Sequence, residues 1–383
     1  MVTLVTIIIV LYVTKVIIYF TMFRENKSNV VAENKVEASV SIIIPMHNEE
    51  KVIIRTIQPL LCLKDIEILL IDDGSTDDTV KIISPYVKLY DNIKLYKQPN
   101  QGKSSALNLG IKHSRSDIII CIDADTYITS SSIYSLLNKF SNEKVVAVSG
   151  NLRGININNF LTRLQDVEYI SIYNFEREVF SRVNGITIVP GAIGAFKRNI
   201  IQKIGGYNSG SLTEDIDLVL KLRKNGFKID NSKDSIAFTE LPENINMYIR
   251  QRVRWKTGLI LNMKEYLETG AGDFFFKAII LPYIIVFRII LSLFIPFIDI
   301  YFIYALFEDN LSYQYLYLIF TIIDNCIISY ILIKQKHFRY VIWTPIQRVV
   351  TRQLSLLINI YIIYYFIVGK LFIWRRCKRY GDK

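Results

Sequence analysis

After residue 273 the chain turns almost wholly apolar. Residues 274–306, 313–333 and 353–374 are each long enough to cross a bilayer core of ~30 Å. A fourth such stretch, Val2–Phe23, carries Lys15 as its only charge. Inside lipid the backbone must satisfy its own hydrogen bonds, so these segments are expected as helices. Across the 383 residues 51% are hydrophobic, too many for an ordinary soluble domain. The excess is confined to the two ends, and the middle reads as a soluble α/β protein.

Val2–Phe23 lacks a basic leader and a small-residue cleavage site, so an uncleaved anchor is expected rather than a signal peptide. Arg24 and Lys27 follow it directly, which places the next segment in the cytoplasm. The first apolar segment after the middle part then runs outward. Glu308–Asp309–Asn310 forms an outside loop, and Lys334–Arg339 returns inside. A third full crossing puts Arg375–Arg379 outside, against the rule, so either the last segment is re-entrant or one segment is miscounted. Residues 338–350, with Trp343, Pro345 and Arg348, read as interfacial.

The formal charge is +11. Nucleic acid is one partner for such a charge, but no nucleic-acid motif is present. Much of the excess flanks apolar segments, at Lys334, Lys336 and Arg339 and again at Arg375, Arg376, Lys378 and Arg379. Anionic lipid headgroups are the expected partner. Cys62, Cys121, Cys326 and Cys377 show no metal-ligand spacing and are expected as buried thiols in a reducing compartment. No pair of the three His has zinc-site spacing.

The middle part alternates. VSIIIP at Val40–Pro45 is a short β-branched run ended by Pro, hence a buried strand. MHNEEKVIIRTIQPLL is expected to open a helix near Asn48. IEILLIDDGS is a second buried strand, and STDDTVKIISPYV a helix capped by Ser75 or Thr76. NIKLYKQP is a third strand, NQGKSSALNLGIKHS a Gly-led turn opening a helix, and DIIICIDADT a fourth strand. This is the pattern of a parallel sheet covered on both faces. Ligands bind beyond the carboxyl ends of such strands, where both IDDGS and DADT stand. Further on come a strand near 145–149 and helical spacing of Phe160, Leu164, Val167 and Ile170. GITIVPGAIGAFKRNII gives a strand, a Gly-rich turn and a helix. A helix starts at Thr213, and residues 243–268 form an amphipathic helix containing QRVRW.

Several of these segments can carry chemistry. Asp123 and Asp125 are two carboxylates ending an apolar strand; hard cations such as Mg²⁺ or Mn²⁺ take oxygen ligands of this kind and bridge phosphates. Asp72 and Asp73 can accept from a base N–H or a ribose hydroxyl, although DDGS is also good turn chemistry. Lys103 follows Gly102 and can approach a base or diphosphate. In LTEDIDL a carboxylate can serve as general base; Asp215 is preferred, with Glu214 and Asp217 as rivals, although all three also suit a helix N-terminus. Gln251, Arg254 and Trp255 share one helical face. Arg can pair with diphosphate oxygens and Trp offers a flat face to a sugar ring; the bland alternative is an aromatic–basic belt before a membrane segment.

Taken in order, SIIIPMHNEE, IDDGSTDDT, NQGKSSALNLG, CIDADT, LTEDIDL and QRVRW resemble the processive family 2 glycosyltransferases over about residues 38–258. Within them the set is most similar to bacterial poly-β-1,6-N-acetylglucosamine synthases. The resemblance implies a GT-A fold, an α/β domain with a mostly parallel sheet and helices on both faces, plus α-helical transmembrane segments. It implies an inverting displacement from a UDP-sugar, best taken as UDP-N-acetylglucosamine, onto a growing glycan, processively. The alternative is addition of a single sugar to a lipid or short glycan; a non-catalytic scaffold is opposed by the intact carboxylates. Uridine binding is implied for Asp73 and Asp123, with Asp72 as helper, and metal binding for Asp125 with Asp123. Asp215 is implied as base, with Glu214 beside the acceptor. Gln251, Arg254 and Trp255 are implied to hold diphosphate and acceptor beside a translocation channel. The expected division is an anchor over 1–23, a linker over 24–37, a cytoplasmic catalytic domain over 38–272, and membrane or interfacial helices with a basic tail over 273–383. Membrane lipids and a small accessory membrane subunit are the further partners considered. Two departures stand out: KTGL follows QRVRW where small polar residues are usual, and only one N-terminal crossing is evident.

Overall fold

The computed structural model describes residues 2–22, 38–270, 272–308 and 311–368. The expectations for the linker 24–37 with Arg24 and Lys27, for Asp309–Asn310, and for Cys377 and the basic tail lie outside the described residues.

Among the described residues eight strands form one sheet: β1 (Val40–Met46), β2 (Glu67–Asp72), β3 (Ile93–Lys97), β4 (Ile118–Cys121), β5 (Tyr127–Ile128), β6 (Val145–Gly154), β7 (Gly194–Lys197) and β8 (Lys228–Thr239). Their order is β3-β2-β1-β4-β7-β6-β8-β5. The N-terminal half, β3-β2-β1-β4, is parallel. β7 runs antiparallel to both β4 and β6, and β5 antiparallel to β8, while β6 and β8 are parallel. The sheet is therefore mixed, with the parallel character expected from sequence concentrated in its first four strands.

Alternation along those strands explains the two faces. Ile42, Ile44, Ile68 and Leu70 pack with Ile53, Ile57 and Ile83 of helices α2 (Ile53–Ile57) and α3 (Thr79–Leu89). Ile43, Leu69 and Ile71 face the other way, onto Ala106, Leu107 and Ile111 of α4 (Lys103–His113). Strands buried on both faces read as continuous apolar runs, and each fully buried Ile is worth ~1.5–3 kcal/mol. The chain order reverses between β1 and β4. That switch point opens a crevice at the carboxyl ends of the parallel strands.

Several local expectations are corrected. The helix expected near Asn48 begins at Ile53, because Asn48 takes a positive φ of 55° and ties two loops together; its N–H bonds Ser75 Oγ and its side chain accepts from Thr76 N–H. Ser75 and Thr76 are thereby used up and do not cap α3, whose N-cap position is Asp78. The strand expected at GITIV is a loop, and GAFK is β7, because that segment inserts between β4 and β6. Cys121 is buried, but Cys62 and Cys326 are exposed; Cys62 lies in the turn after the short α2, not in the sheet.

Helix α5 (Ser130–Leu137) covers β8. Helices α6 (Phe160–Glu168) and α7 (Phe175–Ser181) are joined by a π-helical turn, Tyr169–Asn174. The short α8 (Arg198–Lys203), then α9 (Glu214–Lys224) and α10 (Ile245–Glu268) complete the domain. Among the described residues three helical stretches are long and apolar enough to cross a membrane: Phe276–Phe307, Leu311–Lys334 and Phe338–Val368. The N-terminal helix α1 (Val2–Met22) has a shorter apolar run, Thr3–Tyr19. It packs through Val5, Ile8 and Tyr12 against Leu291, Ile295 and Phe320 of the first two spans. The third span includes the segment expected to be interfacial. Arg348 does not face headgroups; its guanidinium donates to Asp324 of the second span at 2.7 and 2.9 Å.

Candidate active site

One cavity of about 1750 Å³ runs from the carboxyl ends of β1, β2 and β4 to the membrane helices. Drug-sized ligand pockets span ~300–1,000 Å³, so this space accommodates more than one small ligand. Asp73, Lys103, Asp123, Asp125, Glu214, Asp215, Gln251, Arg254 and Trp255 all line it. Asp72 does not; its carboxylate accepts from Ser75 N–H at 3.2 Å and closes the DDGS turn.

Asp73 is 4% exposed. One carboxylate oxygen accepts from Gln98 Nε2 at 2.6 Å and Gln101 N–H at 2.9 Å, and the other from Gly102 N–H at 2.8 Å. Its carboxylate thus pins the loop in which Gly102, at φ 90°, turns the chain into α4. Lys103, the first residue of α4, then reaches across the crevice. Its Nζ lies 2.5 Å from Asp123 Oδ1 and 3.2 Å from Glu214 Oε1. Gly191 leaves room for it: a Cβ there would stand 2.6 Å from that ammonium. Burial opposes the charge on Lys103, but Asp123 and Glu214 outweigh it and hold the ammonium protonated well above its usual range.

Asp123 and Asp125 stand beyond the end of β4, in the turn rather than on the strand itself. Burial raises the Asp123 carboxyl; the Lys103 ammonium offsets part of this and Asp125 adds to it. Among the described residues no group of three or more His, Cys, Asp or Glu gathers as a metal site. The donor set still fits a hard divalent cation, since two carboxylates leave positions for diphosphate oxygens and water. Lys103 already supplies positive charge against Asp123, so a cation there shares Asp123 with it.

Thr213 precedes α9, and Glu214 and Asp215 open it. Burial raises the Glu214 carboxyl, but Lys103 and Arg254 outweigh this and leave it below its usual range. Asp215 moves the other way. Burial and the adjacent Glu214 push it up to about 7, against Lys103, Arg254 and the Ile216 N–H. Two neighbouring carboxylates with their proton affinities driven apart are a mark of acid–base function, and a base poised near 7 is effective at neutral pH.

Helix α10 supplies the opposite wall. Arg254 donates to the Leu212 carbonyl at 3.0 Å, while its Nε and Gln251 Oε1 are buried without a hydrogen-bond partner. The sequence reading missed what fixes Trp255. Arg252 lies 4.5 Å over the Trp255 ring and donates to Glu168 at 2.8 Å and to Tyr173 Oη at 2.9 Å. Glu168 and Arg252 are 84 residues apart, and no local pattern links them. Lys256, the first residue of KTGL, also lines the cavity.

The family described as Glycosyl transferase family 2 matches residues 41–205. A poly-beta-1,6-N-acetyl-D-glucosamine synthase of Staphylococcus epidermidis is 31% identical over 248 residues. The same-named protein of Staphylococcus aureus is 30% identical over 249 residues. Each match covers 63% of this chain and 60% of the relative's length. Among solved structures, a mannosyltransferase from Pyrobaculum calidifontis in complex with GDP-Man and Mn²⁺ superposes with a TM-score of 0.66 at 17% identity, covering 95% of this chain and 99% of that one. The likeness is one of fold, a GT-A-like mixed sheet followed by membrane helices.

Proposed function

We propose, from the premise that this chain belongs to glycosyl transferase family 2 through residues 41–205, that it transfers sugar from a UDP-sugar onto a glycan at the membrane surface. The donor we favour is UDP-N-acetylglucosamine, and the product a β-linked chain extended processively. The observation that carries this reading is the continuity of one cavity from the carboxylate–Lys103 cluster, past Trp255, to the membrane spans. A growing polymer needs such a path and a single small acceptor does not. The staphylococcal relatives, named for poly-N-acetylglucosamine synthesis, support the choice of sugar.

In this reading Asp73 holds the loop that brings Lys103 to the donor diphosphate. Asp123 and Asp125 hold Mg²⁺ or Mn²⁺, which when bound neutralises the diphosphate charge. Trp255 lays its ring against the acceptor sugar. Asp215 takes the proton from the acceptor hydroxyl as its oxygen bonds to the donor anomeric carbon. The bond from that carbon to phosphate breaks on the opposite face, so the configuration inverts and UDP leaves. Lys103 and Arg254 meet the charge that develops on UDP. The catalytic domain is placed on the cytoplasmic side, where nucleotide-sugars are made.

The reading is tested with purified protein in lipid, Mg²⁺ or Mn²⁺, and several radiolabelled UDP-sugars, with the product sized. Long product from UDP-N-acetylglucosamine is expected. Transfer of one residue only would replace processive synthesis by the second reading, addition to a lipid or short glycan. That reading draws on a separate observation, the excess of cations over carboxylates at the membrane end of the cavity.

A further inference from the structure

Where the cavity passes between the membrane helices, its wall changes from acidic to basic. Lys15, Lys256, Arg288, Arg348 and Arg352 line it there. Glu176 pairs with Lys15 at 3.9 Å and with Arg288. Asp324 pairs with Arg348 at 2.7 Å, and Asp299 with Arg352 at 3.2 Å. Five cations thus face three carboxylates, an excess of two positive charges in a region where unpaired charge costs several kcal/mol.

One of these charges lies where Lys15 and Arg288 share Glu176, and the other on Lys256. Among the described residues no carboxylate pairs with Lys256; its Nζ donates to two neutral oxygens, Ser292 Oγ and Asn359 Oδ1, each at 2.5 Å. Burial pulls this ammonium down to about 8. Arg352 spends its Nε on Asp299 and the Arg348 carbonyl; its Nη1 lies 3.8 Å from Asp324, and Nη1 and Nη2 are buried with no hydrogen-bond partner. Lys256 touches Asn359, and Arg352 lies two turns away on the same helix, with Ser355 and Ile358 between them on the cavity wall. A guanidinium edge and an ammonium on one wall suit the oxygens of a phosphate. Beside them Phe287, Ile295, Pro296 and Ile358 give the wall an apolar surface.

We propose that this end of the cavity binds the phosphate headgroup of a lipid, with Lys256 and Arg352 on the phosphate and the lipid chain along the apolar wall. The proposal rests on the membrane placement of the three spans and shares its cations with the second reading above; it is independent of which sugar is transferred.

The test is binding, not turnover. Full-length protein in nanodiscs made of zwitterionic lipid is titrated with a long-chain alkyl monophosphate, the alcohol of the same chain length, and inorganic phosphate. Melting temperature and native mass spectrometry are the readouts. The alkyl monophosphate is expected to bind and raise the melting temperature, and the other two to do neither. Affinity should fall at least tenfold in Lys256→Gln and be kept in Lys256→Arg, with UDP binding unchanged in both as proof of folding. Equal binding of the alcohol would reduce the site to an apolar groove. Equal stabilisation by inorganic phosphate would remove the lipid from the assignment. Undiminished affinity in both Lys256→Gln and Arg352→Gln would overturn the proposal. Because no sugar is transferred, failure of the polymerase reading leaves this result intact.

Discussion

Gly258 of α10 lies so close to Thr213 that a Cβ on it would stand 2.4 Å from the threonine hydroxyl oxygen and 2.6 Å from its methyl carbon. One turn further along α10, Asn262 Nδ2 donates to the Thr213 carbonyl at 3.1 Å and hydroxyl at 2.9 Å. The helix that carries Gln251, Arg254 and Trp255 therefore also fixes the start of the helix that carries Glu214 and Asp215. The KTGL departure after QRVRW contains the residue that permits this contact. Thr213 is 2% exposed and short, so it cannot swing aside as a long side chain would. Gly258→Ala is expected to cost ~1–3 kcal/mol as an overpacked contact and to lower kcat more than UDP affinity. Thermal unfolding and UDP titration check the two halves.

Asp215→Asn should remove the base and lower the transfer rate by ~10²–10⁴-fold, with UDP binding retained. Transfer needs the deprotonated carboxylate. With Asp215 raised to about 7, activity should fall as pH drops through that value and level off above it. A pH–rate profile whose acid limb lies near 4 would assign the base elsewhere.

Lys103 sits at the crossing of these effects. It lowers the proton affinity of both Asp123 and Asp215, so removing its charge leaves burial at Asp215 opposed only by Arg254 and the Ile216 N–H. Lys103→Gln should therefore move the acid limb of the pH–rate profile to higher pH and raise KM for the donor. Gly191→Ala should weaken the donor in the same way, because the added carbon displaces the ammonium rather than any backbone. Since a flexible side-chain tip can yield, the melting temperature should barely change. A large loss of stability in Gly191→Ala would show that the loop, not Lys103, absorbs the contact.

Much of this arrangement was legible because it is local. β1, β2 and β4 are short β-branched runs bounded by turn residues, and Asp73 and Asp123 follow directly from where they end. What escaped was set by distance or by polarity. β8, KIDNSKDSIAFT, has no apolar alternation; it is a strand because β6 pairs with it across two register shifts. GITIV has β-branched residues yet forms no strand, since the place between β4 and β6 is taken by GAFK. Asp72 and Asp73 are adjacent and chemically alike, and only the fold sends one into a turn and the other to the Lys103 loop. The ion pairs Arg348–Asp324 and Arg252–Glu168 join segments whose separation in sequence leaves no pattern to read.

Asp125→Ala should abolish the stimulation of UDP binding by Mg²⁺ or Mn²⁺ while leaving the metal-independent affinity in place. Asp125 is 6% exposed and its backbone carbonyl accepts from Arg55 at 3.1 Å, so the turn keeps its anchor after the side chain is cut back. Isothermal titration with and without the metal reads this directly. Unchanged metal dependence would leave Asp123 with Glu214 as the remaining carboxylates for the ion.

Trp255 presents its ring to the cavity with Arg252 stacked on it, and Glu168 holds Arg252 in place. An Arg over Trp is worth ~0.5–2 kcal/mol, and the Glu168 pair, 6% and 12% exposed at its two ends, is shielded from salt. Trp255→Ala should shorten or abolish product while UDP still binds, because the lost surface belongs to the acceptor and not to the nucleotide. Arg252→Gln keeps the indole but frees its orientation, so product should shorten with the donor KM unchanged. Glu168→Gln should do the same more mildly, since the amide still accepts one hydrogen bond from the guanidinium. Product of normal length from Trp255→Ala would make the indole a membrane-side packing residue and strip Arg252 of any part in positioning it.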